Sequence, residues 1–200
     1  MSGFFPATAM PDWDWWGALW PDPGGVLREL GMTPGEPAVD LCCGDGYFTA
    51  PMTRLSRPST VYALDLDLEL IDRARLHVAE RGEGDLVVFA ADDAMCLPRH
   101  VPESAGFVLL ANTFHGVPDK TGLARRVRLV LAPGGRFAVV NWRPAPREET
   151  RVLGEPRGPA TGMRLSPEQT QALVAPGGFD LEKVADLPPY HYGAVFVRRG

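Results

Sequence analysis

Only three cysteines, Cys42, Cys43 and Cys96, occur in 200 residues. An odd number cannot be fully paired and two are sequence neighbours, so no disulfide framework is expected and a reducing compartment fits better. No apolar run approaches the ~20 residues of a membrane-spanning helix. The opening stretch MSGFFPATAMPDWDWW lacks both the basic and the apolar region of a signal peptide. The expectation is a cytoplasmic protein with no membrane span. Positive charge is in deficit: a formal net charge of −5 and a pI near 5.4 argue against the broad basic surface of a non-specific nucleic-acid binder. No nucleic-acid partner is expected. No CxxC pair and no histidine cluster accompanies Cys42 and Cys43, so these read as small buried filler and no metal is assigned. The 45% apolar and 22% charged residues place the chain in the globular class. Its length is one domain's worth, enough to bury roughly 70% of the unfolded surface without staples.

Punctuation, by contrast, is abundant: 22 glycines and 20 prolines fall mostly between short apolar runs and helical stretches. Runs at 37–42, 60–65, 86–90, 107–111 and 136–141 read as strands covered on both faces. Between them, Phe48, Met52 and Leu55, then Ile71, Ala74 and Val78, then Leu123, Val127, Val130 and Leu131 recur with helical period. Gly82 stops the second of these, and Pro133, Gly134 and Gly135 stop the third. Strict alternation of strand and helix implies right-handed crossovers and a parallel, doubly wound sheet, an α/β fold. After Trp142, residues 143–165 show neither period and read as a long loop. Ser166, Pro167, Glu168 and Gln169 form a capping box with proline at the first helical position. Segments 179–187 and 191–198, with only Pro188, Pro189 and Tyr190 between, must pair antiparallel.

In an open parallel sheet, ligands sit beyond the carboxyl ends of the strands near the switch point, so the first strand-to-helix turn is the place to look. That turn reads DLCCGDGYFT, residues 40–49. Gly44 and Gly46 let the backbone bend sharply and approach a ligand closely. Two glycines alone are compatible with a tight turn and nothing more. A dinucleotide fingerprint would have a third glycine where Thr49 stands, and Asp40 and Asp45 would repel a pyrophosphate. The same carboxylates suit a ligand with positive charge and no phosphate, and S-adenosylmethionine (SAM) carries an ammonium and a sulfonium. Asp65, nineteen residues after Gly46, ends the second strand as an acceptor for two ribose hydroxyls, a role shared by both cofactor types. Asp92 and Asp93 end the third strand, where an adenine amino group would lie.

The strings AVDLCCGDGYF, VYALDLDLELIDRAR, DDAMCLP, LLANTFHGV and LAPGGRFAVVNW, in this order over about residues 35–142, resemble the successive motifs of class I SAM-dependent methyltransferases. Within them the chain is most like the small ubiquinone/menaquinone-biosynthesis type. The resemblance implies a Rossmann-like, seven-stranded mixed sheet closed by an antiparallel hairpin, SAM as cofactor with S-adenosylhomocysteine (SAH) as product, and a small-molecule methyl acceptor. It implies that Asp40 and the backbone of Gly44 and Gly46 hold the methionine moiety, with Cys42 and Asp45 in the same loop. Asp65, with Leu66 beside it, takes the ribose, Asp93 and Ala94 the adenine, and Asn112 faces the methionine end. Two positions depart from the family pattern: Cys42 stands for a usual first glycine, and Gly106 for the aspartate that usually opens the fourth strand. Asn112 is followed by Thr113 and Phe114 rather than the NPPY of amino-group methyltransferases.

Other residues admit a bland reading beside a sharp one. His115, one step past the fourth strand, is a candidate general base for an acceptor or a loop histidine. His77 and His100 read as surface residues, and Tyr190, His191 and Tyr192 as hairpin packing or a pocket wall. The arginines of 143–165 read as a solvated loop or an anion-accepting cover. Trp13, Trp16 and Trp20 share one face of a short helix begun near Asp12, with Trp15 off that face; this segment is either core or a lid over the site. The chain divides into this N-terminal segment (1–34), a cofactor core (35–142), a substrate-side loop (143–165) and a closing helix and hairpin (166–200). A SAM-binding protein without catalysis, or a nicotinamide-dependent oxidoreductase, would share much of the pattern.

Overall fold

A computed structural model describes residues 13–102 and 104–200, with side chains from residue 15 onward. The apolar runs become strands and the periodic stretches helices, in the order α1 (Trp13–Leu19), α2 (Pro23–Glu29), β1 (Ala38–Leu41), α3 (Thr49–Ser56), β2 (Val61–Asp65), α4 (Leu68–Glu80), β3 (Val87–Ala91), β4 (Ala105–Ala111), α5 (Lys120–Val130), β5 (Leu131–Trp142), β6 (Arg151–Val152), β7 (Glu155–Pro156), α6 (Pro167–Val174), β8 (Phe179–Leu187) and β9 (His191–Arg198). The seven-stranded sheet runs β3-β2-β1-β4-β5-β9-β8. Strands β1 to β5 pair in parallel, and β9 is antiparallel to both β5 and β8. Strand β1 lies between β2 and β4, so the chain winds outward in both directions from it. The loops after β1 and β4 therefore diverge and leave a crevice at the carboxyl ends.

Period-two alternation sorts β4 onto two cores. Val108 and Leu110 pack with Leu123 and Val127 of α5 and Val174 of α6. Phe107 and Leu109 pack with Leu27, Leu30, Met52 and the tryptophans of the N-terminal segment. Helices start where the sequence marks them: Asp67 caps α4 through the Glu69 N–H, Asp119 caps α5 through the Gly122 N–H, and Ser166 with Gln169 completes the capping box of α6.

Four expectations change. The run at 86–90 is not covered on both faces: β3 is the edge strand and Val88 is 47% exposed, because among the described residues no strand lies beyond it. Leu131 belongs to β5, since it already pairs with Ala105. The 143–165 segment is not a featureless solvated loop. It folds into the β6–β7 hairpin around Arg164, only 5% exposed, whose guanidinium donates to the carbonyls of Pro159, Ala145 and Arg157 and to Thr150 Oγ1 and lies 5.2 Å from the Trp142 ring centroid. Lastly, Trp15 is buried with Trp16 and Trp20 rather than turned away. Helix α1 ends at Leu19, and Trp142 arrives from β5 to cover Trp15 with ring centroids 5.9 Å apart. The predicted helix start at Asp12 and the ring of Trp13 lie outside the described residues and side chains.

The departure at Gly106 has a packing counterpart: a side chain there would overlap the Glu36 carboxylate, which folds over the glycine.

Candidate functional site

The turn after β1 is held by three residues in the left-handed region, Cys42 (φ 58), Gly44 (φ 55) and Gly46 (φ 87). At Gly46 a Cβ would come within 3.0 Å of the Ala74 Cβ, so glycine is what lets the turn rest against α4. Cys42 carries a side chain where the backbone favours none, a strain of about 1–2 kcal/mol. Cys42→Gly relieves it, less the entropy that glycine adds to the unfolded chain. Its expected effect is a gain of up to about 1 kcal/mol, read as about 2–4 °C in melting temperature; a lower melting temperature would mean that the thiol's packing outweighs the strain. Burial among carboxylates pushes the Cys42 and Cys43 thiols up, so neither is a ready nucleophile.

Three carboxylates ring this turn. Asp40, 2% exposed on β1, accepts a hydrogen bond from Thr49 Oγ1 (2.6 Å) at the start of α3. Its burial, reinforced by the charges of Asp65 and Asp45, raises its pKa to about 7. Asp45 is buried in the turn itself, and its backbone carbonyl lies 3.0 Å from His77 Nδ1. Asp65 ends β2 and ties the turn down: Oδ2 accepts the Gly44 N–H (2.8 Å) and Oδ1 the Asp67 N–H (3.0 Å). The Leu66 N–H is a third backbone donor to Asp65, and since a carboxylate offers about four lone-pair sites, room remains for a further donor. Burial also moves its pKa upward.

The acids after β3 divide their tasks. Asp92 turns to His100, with Oδ2 and Nε2 2.7 Å apart, and accepts the Asp93 N–H on Oδ1; the His100 contact holds its carboxyl below the usual range. Asp93 is exposed and caps the Met95 N–H (2.8 Å), with Ala94 half-buried after it, and Leu66, after the neighbouring strand β2, is 43% exposed. His77 and His100 are accordingly not free surface residues: both are half-buried and engaged.

Asn112 follows β4 in the left-handed region (φ 58), and its N–H donates to the Val140 carbonyl (2.9 Å). Both polar atoms of its side chain are buried and lack a hydrogen-bond partner. Buried amides are normally satisfied, so an orphan of this kind at the crevice fits a ligand with both donor and acceptor groups, as the amino acid end of SAM has. His115 sits half-buried in the turn Phe114–Gly116. Burial first, then the charges of Lys120 and Arg164, lower its pKa to about 4, which keeps the ring neutral near pH 7 and makes it a weak base there.

Of the hairpin residues, Tyr192 is held by packing and a hydrogen-bond network. Tyr192 is fully buried, within hydrogen-bond reach of Thr170 Oγ1 (2.7 Å) and donating to the Leu165 carbonyl (2.9 Å), with Asn141 Nδ2 donating to its oxygen. Tyr190 stacks on Trp142, and His191 is fully buried against the same ring. Sequence reasoning gave Thr49 no role beyond the missing third glycine, though it is the partner of Asp40. Arg164 had no signal, because its partners come from a segment without period. Among the described residues, no group of three or more His, Cys, Asp or Glu is placed to hold a metal, and no helix is long and apolar enough to cross a membrane.

A family model described as a methyltransferase domain matches residues 39–139. The 27-O-demethylrifamycin SV methyltransferase of Amycolatopsis mediterranei is 27% identical over 86% of this chain and 68% of its own length. A ubiquinone/menaquinone biosynthesis C-methyltransferase of Hahella chejuensis is 30% identical over 58% of this chain, which spans just under half (47%) of that protein. Among solved structures, a SAM-dependent methyltransferase from Aquifex aeolicus superposes with a TM-score of 0.75 at 20% identity, over 88% of this chain and 89% of the other. With a family-model match over half of its length, the chain belongs to the methyltransferase-domain family, the SAM-dependent methyltransferases.

Proposed function

We propose that this chain binds SAM in the crevice at the ends of β1, β2 and β4 and directs methyl transfer to a small-molecule acceptor. The observation that carries the reading is the buried, unpartnered Asn112 amide at the end of the strand beside the acid-ringed glycine turn. Asp40, Asp45, Cys42 and the backbone of Gly44 and Gly46 would hold the cationic methionine end. Asp65, beside Leu66, would turn its remaining acceptor capacity to the ribose, and Asp93 with Ala94 would receive the adenine. When bound, SAM supplies a methyl group on a positively charged sulfur, which a nucleophile takes in line. The chain's share is then alignment and exclusion of water. His115, neutral near pH 7, would accept a hydrogen bond from the acceptor; as a base it would give a rate rising through about pH 4.

Relatives named for rifamycin and quinone methylation support a small-molecule acceptor rather than a nucleic acid. They also speak against a SAM-binding protein that has lost transfer, and the family match removes the nicotinamide reading.

The test is thermal. SAH at a hundred times its dissociation constant should stabilise the native state by about 2.7 kcal/mol, and NADH should not. Charge-assisted hydrogen bonds contribute about 1.5–3 kcal/mol, so Asp65→Ala should weaken SAM at least tenfold in calorimetric titration. Stabilisation by NADH alone would sink the reading.

A further inference from the structure

The N-terminal tryptophans and His191 meet at the same end of the sheet as the cofactor turn. His191, the first residue of β9, pairs with Trp142, the last residue of β5. Its ring lies 4.1 Å from Trp142 and 4.6 Å from Trp20 between centroids. Trp15 extends the group across Trp142. The wall toward the cofactor is made by Tyr47 and Phe48, which directly follow Gly46: Tyr47 donates to the Trp20 carbonyl (2.6 Å) and Phe48 lies 5.6 Å from the Trp20 ring.

Apolar rings gathered at a strand end need no explanation beyond packing. The nitrogens do. Among the described residues, Trp15 Nε1, Trp20 Nε1 and both ring nitrogens of His191 are buried with no hydrogen-bond partner. His191 itself is fully buried. Purely structural cores choose phenylalanine or leucine at such positions, or supply a partner, because an unsatisfied buried polar group is costly. Four in one aromatic cluster, against the cofactor turn, are the pattern of a site whose partner groups arrive with a ligand.

We infer that Trp15, Trp20, Trp142 and His191 form the acceptor subsite, and that His191 hydrogen-bonds the hydroxyl or carbonyl of a planar, uncharged acceptor. This rests on the methyltransferase reading and names the substrate class for it. A flat ring enters by parting the edge-on and tilted contacts of these rings, and the displaced indoles remain buried against the ligand. A cationic acceptor is disfavoured, since Arg164 lies over Trp142 and the Arg143 and Arg164 charges both reach His191. Burial first, and then their field, keep the imidazole neutral, its pKa lowered to about 3, so it offers one donor and one acceptor, the complement of a hydroxyl.

The probe is 1-naphthol, with 1-methylnaphthalene as the shape-matched control lacking the hydroxyl, each titrated into full-length protein saturated with SAH. Histidine side-chain nitrogens are followed by NMR, and His191→Phe, which keeps a ring in place, serves as assignment and control. Naphthol should shift the His191 resonances and bind at least tenfold more tightly than the methyl analogue, and His191→Phe should abolish that preference. Equal binding of the two probes, or no shift at His191, would overturn the assignment while SAH stabilisation still upheld the methyltransferase reading. If SAH itself failed to stabilise the protein, that reading would fall and this one with it. Should His191→Phe not fold, the wild-type shift and the two-probe comparison decide alone.

Discussion

SAM affinity should fall about tenfold between pH 7 and pH 5.5. In the free protein Asp40 has a pKa near 7, because it is buried and faces Asp65 and Asp45, with only Thr49 favouring its charged form. A cationic ligand beside it favours the carboxylate, so its pKa drops in the complex. Below pH 7, binding must then expel a proton from Asp40, and each unit of pH costs up to about tenfold. The window lies below the titration of an α-amino group (about 7.7–8), so the ligand's charge stays constant. The unliganded protein shows the opposite sign. A folded pKa raised from 3.8 to about 7 means that Asp40 favours the native state fully below about pH 4 and that this contribution is lost as pH rises through 7. Stability without ligand should therefore decline across pH 4–7 from this group, and saturating SAM should offset the decline. Titration calorimetry at pH 7.0, 6.5, 6.0 and 5.5 measures the first effect. A flat profile would mean that Asp40 stays ionised in the free protein or does not meet the cation, and Asp40→Asn should flatten it by design.

Trp20→Ala should cost about 3–5 kcal/mol, a large fraction of the 5–15 kcal/mol typical of a domain. Trp20 is 3% exposed, stacked on Trp16 at 5.5 Å, edge-on to His191 and tilted on Phe48, and its carbonyl receives the Tyr47 hydroxyl. Truncation removes one ring from three ring neighbours that cannot all close the gap. Urea unfolding gives the number. Deleting residues 1–20 should lower stability by at least as much as the single change, because Trp15, Trp16 and Leu19 leave with it. A detachable lid would behave otherwise: the deletion would leave the unfolding midpoint in place and abolish turnover alone.

Much of the site was legible because its signals are local. Asp40, Gly44, Gly46 and Asp65 stand at fixed offsets from strand ends, and the strand ends are marked by apolar runs broken by glycine. The structure joins two of them, with the Gly44 N–H donating to Asp65. The tryptophan face was half legible: the i, i+3, i+7 spacing found Trp16 and Trp20, but the burial of Trp15 depends on Trp142, more than a hundred residues away. Arg164 and the Asp92–His100 pair were not legible, for their partners lie in turns where no period constrains the side chains.

By itself, then, the sequence determined the alternation of strand and helix, the acid-ringed turn between β1 and α3, the capped α6 and the closing hairpin. Backbone propensity and hydrophobic period act over a few residues, and a residue string records them directly. Tertiary structure alone decided that Cys42 takes a left-handed conformation, that Asp40 loses its water and holds its proton to about pH 7, that Arg164 becomes the hub of the 143–165 segment, and that His191 ends between two tryptophans. Each of these follows from which distant segments exclude water from a group, and desolvation and long-range pairing belong to the folded arrangement, not to any stretch of chain.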